Sequence, residues 1–317
     1  MGYLVSANQR ERKAAERASL WKKIKQMRML YLMLVLPFAS LITFHYAPMY
    51  GVTLAFKKYS FKKGIMGSPW IGFDHFERLF ADPLFSRAVA NTVRLSVKNL
   101  VLTFFIPIIF ALLLNEIKNS RFKKVVQTIS YMPHFLSWVV VALVVYQVLS
   151  PSIGIVNVII KALGGEAIYF QANPNYFDAI YITAGVWKGV GWGSIIYLAA
   201  ISGVNPELYE SAVLDGANRF HKAVYITIPS IAPIIVIQLI LSFSGIMNGS
   251  FDAVFNLYNG LVMSKADIIN TFSYRAGLIS NQFEYATAIG LFQNVIGMML
   301  VLVVNKIASK ISEYALW

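Results

Sequence analysis

A chain of 317 residues in which 57% are hydrophobic and only 14% are charged is too apolar for an ordinary soluble domain. Its formal net charge of +13 would suit nucleic acid, but the basic residues flank apolar segments instead of forming one stripe interleaved with aromatics. That distribution argues against a nucleic-acid partner and for anionic membrane lipid. The chain has no cysteine, which excludes disulfides, thiolate metal ligands and cysteine nucleophiles.

Residues 1–28 form a basic arm carrying Arg10, Arg12, Lys13, Arg17, Lys22, Lys23, Lys25 and Arg28. Within it Leu20, Ile24 and Met27 recur at i, i+4, i+7 beside Trp21, the pattern of an amphipathic helix lying on a membrane face. A docking helix for another subunit would look the same.

Spanning a bilayer takes about 20 apolar residues. Windows of that kind occur at 29–50, 93–114, 125–149, 178–200, 230–247 and 286–307, which predicts an all-α polytopic membrane protein with six transmembrane helices. An arm at 1–28, a first helix at 29–50, an outer loop at 51–92, a five-span core at 93–307 and a tail at 308–317 complete the division. With both termini in the cytoplasm, more than half of the 28 basic residues fall on the inner side.

In the fourth predicted span, Gly185, Gly189 and Gly193 sit four apart and would share a face for close helix approach. Lys188 lies near the middle of that span, where a lysine costs about 2.5–3.5 kcal/mol on insertion scales. It therefore needs a polar surrounding: a permeation path shared with Trp192, a structural partner, or an interface reached by snorkelling. After the fifth span, Asn248, Phe251 and Asp252 mix hydrogen-bonding and aromatic side chains as a sugar site does, although membrane interfaces share that composition.

The polar stretch 205–229 has a more definite local grammar. Asn205 can cap a helix opening at Pro206, with Glu207 and Glu210 near its positive end. That helix should stop at Asp215-Gly216, where glycine can take the left-handed conformation that turns the chain. A second helix over 218–225 would then lead to Pro229, which would open span five. Such a two-helix elbow can fit a partner's cleft and pass that partner's movement to the spans it joins.

The spacing Glu210-Ser211-Ala212, three residues, Gly216, nine residues, Ile226-Thr227-Ile228-Pro229 resembles the EAA motif of permease subunits in ABC importers. Ser211 and Ile228 depart from the motif's alanine and leucine. The segments 46–57, 67–76 and 187–192 resemble the LplB-type branch of the carbohydrate-uptake, MalF-like permeases. The resemblance implies a type I importer with a MetI-like permease core: spans two to six form that core, and span one wraps a second permease. It also implies two cytoplasmic ATPases, an extracellular solute-binding protein and an oligosaccharide substrate, with a bacterial inner-membrane location. Glu207, Glu210, Ser211, Ala212, Asp215, Gly216, Ile226 and Pro229 would form the ATPase-coupling element.

No Walker A sequence occurs, so ATP and Mg are expected on the partner ATPase and no cofactor on this chain. His45, His75, His134 and His221 show no metal-ligand spacing, and no serine occupies a nucleophile elbow. A transport subunit, not an enzyme, is the expectation. An ion-coupled carrier and a non-transporting scaffold stay open, although a carrier would usually show more carboxylate within its spans.

Overall fold

The computed structural model describes residues 23, 25–247 and 249–311. Most of the basic arm, the tail beyond 311 and Asn248 lie outside the described residues, so the expected amphipathic arm helix falls there too.

Helix α1, Arg28–Phe56, changes from α to π geometry at Ile42–Tyr46 and to a 3-10 helix over Ala47–Phe56. The π turn precedes Pro48, whose ring would otherwise press on the carbonyl four residues back. No residue of the segment Arg28–Leu41 is buried by the rest of the chain. At its far end a compact connection carries α2, Asp74–Ala81, which buries His75 and Leu79.

Helix α3, Pro83–Asn115, is capped by Asp82, whose carboxylate accepts from the Leu84 amide at 2.8 Å. It begins well before the expected residue 93, because Ser86, Arg87 and Asn91 lower the hydropathy average over residues 83–92. The expected loop 51–92 is correspondingly shorter.

The expected third span, 125–149, is not one straight helix. It is α4, Ser120–Phe135, followed by α5, Trp138–Val148, with a bend of 106° between them. Pro133 and the Ser137 cap, whose hydroxyl accepts from the Val140 amide, start a new helix in a new direction. A short α6, Ile155–Ala162, leads on to α7, Pro174–Ser202.

Two further elements form the elbow: α8, Pro206–Leu214, and α9, Arg219–Phe243. Beyond it come α10, Phe251–Leu257, α11, Met263–Ala266, α12, Ile269–Tyr274, and the last long helix α13, Phe283–Ile311. Among the described residues five helices are long and apolar enough to cross a membrane, and the bent pair makes a sixth crossing if its halves share one span. The described residues are helical apart from connections and one isolated bridge between Lys57 and Trp70.

Helices α3 and α7 form the main packing pair. At one end Phe104, Ile108 and Ala111 of α3 meet Tyr197 and Ile201 of α7 and Ile231 of α9. Nearer the opposite end Leu95 joins Phe177, Tyr181 and Ala184 with Val141 of α5 and Val254 of α10. The glycines take separate parts in this packing. A methyl group on Gly185 or Gly193 would stand 3.2 Å from Asn99 or Pro107 of α3, so both serve close approach as expected. Gly189 faces open space and does not. Gly191 is the tightest position, since a methyl there would overlap the Ser130 carbonyl of α4.

A polar knot ties the ends of α3, α7 and the α11–α12 segment. Arg94 donates to Asp178 at 3.1 Å through Nε and to the Lys265 carbonyl at 2.5 Å, and Lys98 reaches the same carboxylate at 2.6 Å. Beside it Asp267, 1% exposed, accepts two hydrogen bonds from Arg275 at 2.5 and 2.7 Å. These hydrogen bonds hold the Arg275 guanidinium above the ordinary arginine range.

Candidate functional site

The elbow is assembled by side chains that finish each helix end. Asn205 Oδ1 accepts from the Glu207 amide at 3.1 Å, capping α8 as expected. At the other end Gly216 takes φ +77°, while the Ala217 amide donates to the Ala212 carbonyl and the Gly216 amide to Val213. This is a Schellman motif, and it needs the left-handed glycine. Asn218 then caps α9 by accepting from the His221 amide at 2.8 Å.

Pro229 does not open span five. The helix runs unbroken from Arg219, and a π turn over Ala223–Thr227 carries it up to the proline. Tyr225, four residues before Pro229, lies in the wide turn, which moves its carbonyl away from the ring. The second arm of the elbow is therefore the base of the span itself.

Two contacts brace the elbow from within the chain. The Tyr209 and Thr227 hydroxyls share a hydrogen bond of 2.9 Å, joining α8 to the π turn of α9. Arg219 lies 3.5 Å from Glu116 at the end of α3. Glu207, Glu210, Ser211, Asp215 and Gly216 are exposed, as are the apolar Val213 and Leu214, the latter at 89%. A concavity of about 350 Å³ between the arms is lined by Ala212, Asp215, Gly216, His221, Tyr225 and Ile226. The elbow thus offers carboxylates and apolar side chains on a rigid frame.

Between α3, α7 and the end of α9 lies a polar cavity of about 250 Å³. Its lining includes Ser96, Asn99 and Thr103 of α3, Tyr181 of α7, Ser242 of α9 and Ser250. Thr103 and Ser242 donate their hydroxyl protons to their own helices, at 2.7 Å each, and so present acceptor lone pairs to the space.

At the bend between α4 and α5, Lys188 Nζ donates to the carbonyls of His134 at 2.5 Å, Leu136 at 2.6 Å and Pro133 at 3.4 Å. One turn further along α7, Trp192 stacks on the His134 ring with centroids 4.4 Å apart and planes 2° from parallel.

Residues 104–313 match the family model described as binding-protein-dependent transport system inner membrane component. The chain belongs to that family. It is a multi-pass inner-membrane transport subunit. It is 41% identical over 96% of its length to the polygalacturonan/rhamnogalacturonan transport system permease protein YteP of Bacillus subtilis (strain 168), covering 95% of that protein. Identity to Protein LplB of the same organism is 38%, over 93% of this chain and 92% of the other. Among solved structures, it matches a bacterial ABC transporter involved in import of the acidic polysaccharide alginate, with TM-score 0.86 and 41% identity, covering 92% of this chain and 99% of that one. The alginate transporter in complex with an alginate pentasaccharide-bound periplasmic protein matches with TM-score 0.87 and 40% identity, covering 94% and 99%.

The family's shared region holds the elbow, the bend and most of the cavity, but those expected substrate residues that the structure describes, Lys188, Trp192, Phe251 and Asp252, do not converge there. Lys188 is occupied by backbone carbonyls, the structural option among those the sequence leaves open. Trp192, about half exposed, keeps one ring face on His134. Phe251 packs on Phe255 and Tyr274, and Asp252 is exposed in the first turn of α10. None of these four lines the polar cavity. The cavity residues, absent from the expected set, do carry a sequence signal: Ser96, Asn99 and Thr103 recur at i, i+3, i+7 in an otherwise apolar helix.

Proposed function

We propose that this chain is one permease half of an ATP-driven importer for oligosaccharides, with both termini in the cytoplasm. A solute-binding protein would deliver the sugar, a second permease would complete the channel along α1, and ATP and Mg would sit on two cytoplasmic ATPases. The observation that carries this reading is the braced elbow, a projecting helix locked at both ends and bonded to the base of a span. Glu207, Glu210, Ser211, Ala212, Asp215, Gly216 and Ile226 would enter the ATPase cleft, with Glu210 meeting a basic residue there. Closure of the ATPase pair would draw the two elbows together and turn the channel from inward- to outward-facing.

Fragments of acidic polysaccharides are the substrate class supported by the relatives, which include permeases for polygalacturonan/rhamnogalacturonan and alginate. The polar cavity suits sugar hydroxyls, and the aromatic faces of Trp192 and Phe251 suit sugar rings. Reconstitution with its partners tests the proposal: Glu210→Lys should abolish ATP-driven uptake and co-purification of the ATPase. Uptake that continues without an ATPase would overturn it in favour of an ion-coupled carrier. Competition between uronate and neutral oligosaccharides tests the substrate class, and equal uptake of both would remove the acidic preference.

A further inference from the structure

Lys188 is a cation deep in a span, and it belongs to no ion pair among the described residues. Its ammonium has three protons, and the structure gives it three acceptors: the carbonyls of Pro133, His134 and Leu136. These carbonyls stand where the chain turns by 106° and leaves helical register. Within a bilayer no water is at hand to satisfy backbone groups freed by such a break, so another part of the protein must do so. The C-terminal end of a helix also carries partial negative charge, which a lysine complements.

The contact reaches both sides of the break. Pro133 and His134 end α4, Leu136 is the joint, and the Trp138 ring that opens α5 lies 6.0 Å from the ammonium. Three residues along the same face of α7, Gly191 abuts the Ser130 carbonyl with no room for a methyl group. That close approach brings the lysine within reach of the bend. One turn on, Trp192 lies flat on His134 and edge-on to Phe135.

We infer that Lys188 is a positioning residue: it pins the break of the third span to α7, so that α4, α5 and α7 move as one body when the transporter changes state. With all three protons committed to backbone, the charge recognises the protein's own bend and not a substrate carboxylate. This pin goes beyond the proposed function, which supplies only the motion to be measured.

The absence of cysteine makes the test direct. Val140→Cys on α5 and Ile196→Cys on α7 replace residues that are about 40% exposed on this chain, and the distance between nitroxides attached there is measured in the assembled transporter. One narrow distance is expected, unchanged between nucleotide-free and ATP-bound assemblies. Lys188→Met should broaden it and lower uptake of neutral and uronate oligosaccharides alike by at least about tenfold through kcat with KM unchanged, and Lys188→Arg, which keeps the charge and donors but not the compact ammonium, should restore part of both. A distance that shifts with nucleotide while Lys188 is present overturns the pin, and this measurement stands if Lys188→Met does not fold. A Lys188→Met variant with normal uptake overturns it too, as does one that loses only uronate uptake. A complex that hydrolyses no ATP and moves no sugar would sink the transport reading instead, while the label distance in the nucleotide-free assembly, narrow with Lys188 and broad after Lys188→Met, still reads the pin.

Discussion

Tyr209 and Thr227 share a hydrogen bond of 2.9 Å that joins the projecting helix of the elbow to the base of the span that follows it. Thr227 is buried and also donates to the Lys222 carbonyl at 3.3 Å, so the pair is anchored on the span side. Tyr209→Phe removes the cross-link without leaving Thr227 unsatisfied. A neutral hydrogen bond of this kind is worth about 1 kcal/mol, or roughly fivefold in an equilibrium constant. The chain should fold normally and still bind its ATPase, while sugar imported per ATP hydrolysed falls several-fold. Parallel uptake and phosphate-release assays check this, and an unchanged ratio would show that the elbow transmits force by another route.

Gly216 has φ +77° with nothing within 4 Å of where a side chain would begin. The penalty for substitution is therefore conformational and not a clash. A residue with a Cβ costs about 1–2 kcal/mol there, and asparagine costs less because it tolerates the left-handed region. Gly216→Ala should weaken retention of the ATPase during purification more than Gly216→Asn does. Equal retention in both variants would mean that the turn can relax.

The elbow is legible in the sequence because its determinants are local. Asn205, Pro206, Gly216 and Asn218 each act within a few residues of the helix end they set. Its continuity into span five is not legible, because Pro229 reads as a helix start until a π turn makes room for it. The bend between α4 and α5 is hidden for a different reason. A hydropathy window averages across Pro133 and Ser137, and the group that makes the break tolerable, Lys188, lies more than 50 residues away in sequence. The start of α3 escapes because Ser86, Arg87 and Asn91 make residues 83–92 read as loop until Asn91 is placed against the Ser264 and Asp267 carbonyls, to which it donates.

Asp267 is almost wholly buried, and Arg275 is the cation that pairs with it. Removing one partner of a buried pair costs about 3–5 kcal/mol, because the remaining charge has no solvent to return to. Arg275→Met should therefore sharply reduce the amount of folded protein in the membrane, while the double variant Asp267→Asn, Arg275→Met recovers part of it. The pH dependence has a definite sign. Arg275 has its folded-state pKa raised, so its contribution is complete below the ordinary arginine range and is lost only as pH rises through the folded value. Thermal stability traced to this pair should not vary between neutral and moderately alkaline pH, as a melting series on the parent and the double variant would show.

Variants in the polar cavity test substrate contact separately from coupling. Asn99 and Ser242 line it from opposite helices, and Asn99 also stands 3.2 Å from where a side chain on Gly185 would begin. Asn99→Leu would remove a donor and an acceptor from the space, and Ser242→Ala would remove an acceptor without adding bulk. A hydrogen bond lost to a bound sugar hydroxyl costs about 1 kcal/mol. Each variant should therefore weaken uptake several-fold while basal ATP hydrolysis and ATPase retention stay at parent levels. Because the two residues are on different helices, the double variant should lose roughly the sum of the two effects in free energy if each contacts a different hydroxyl. Uptake by the double variant equal to that of the parent would move the sugar path away from this cavity, toward the exposed face of Trp192.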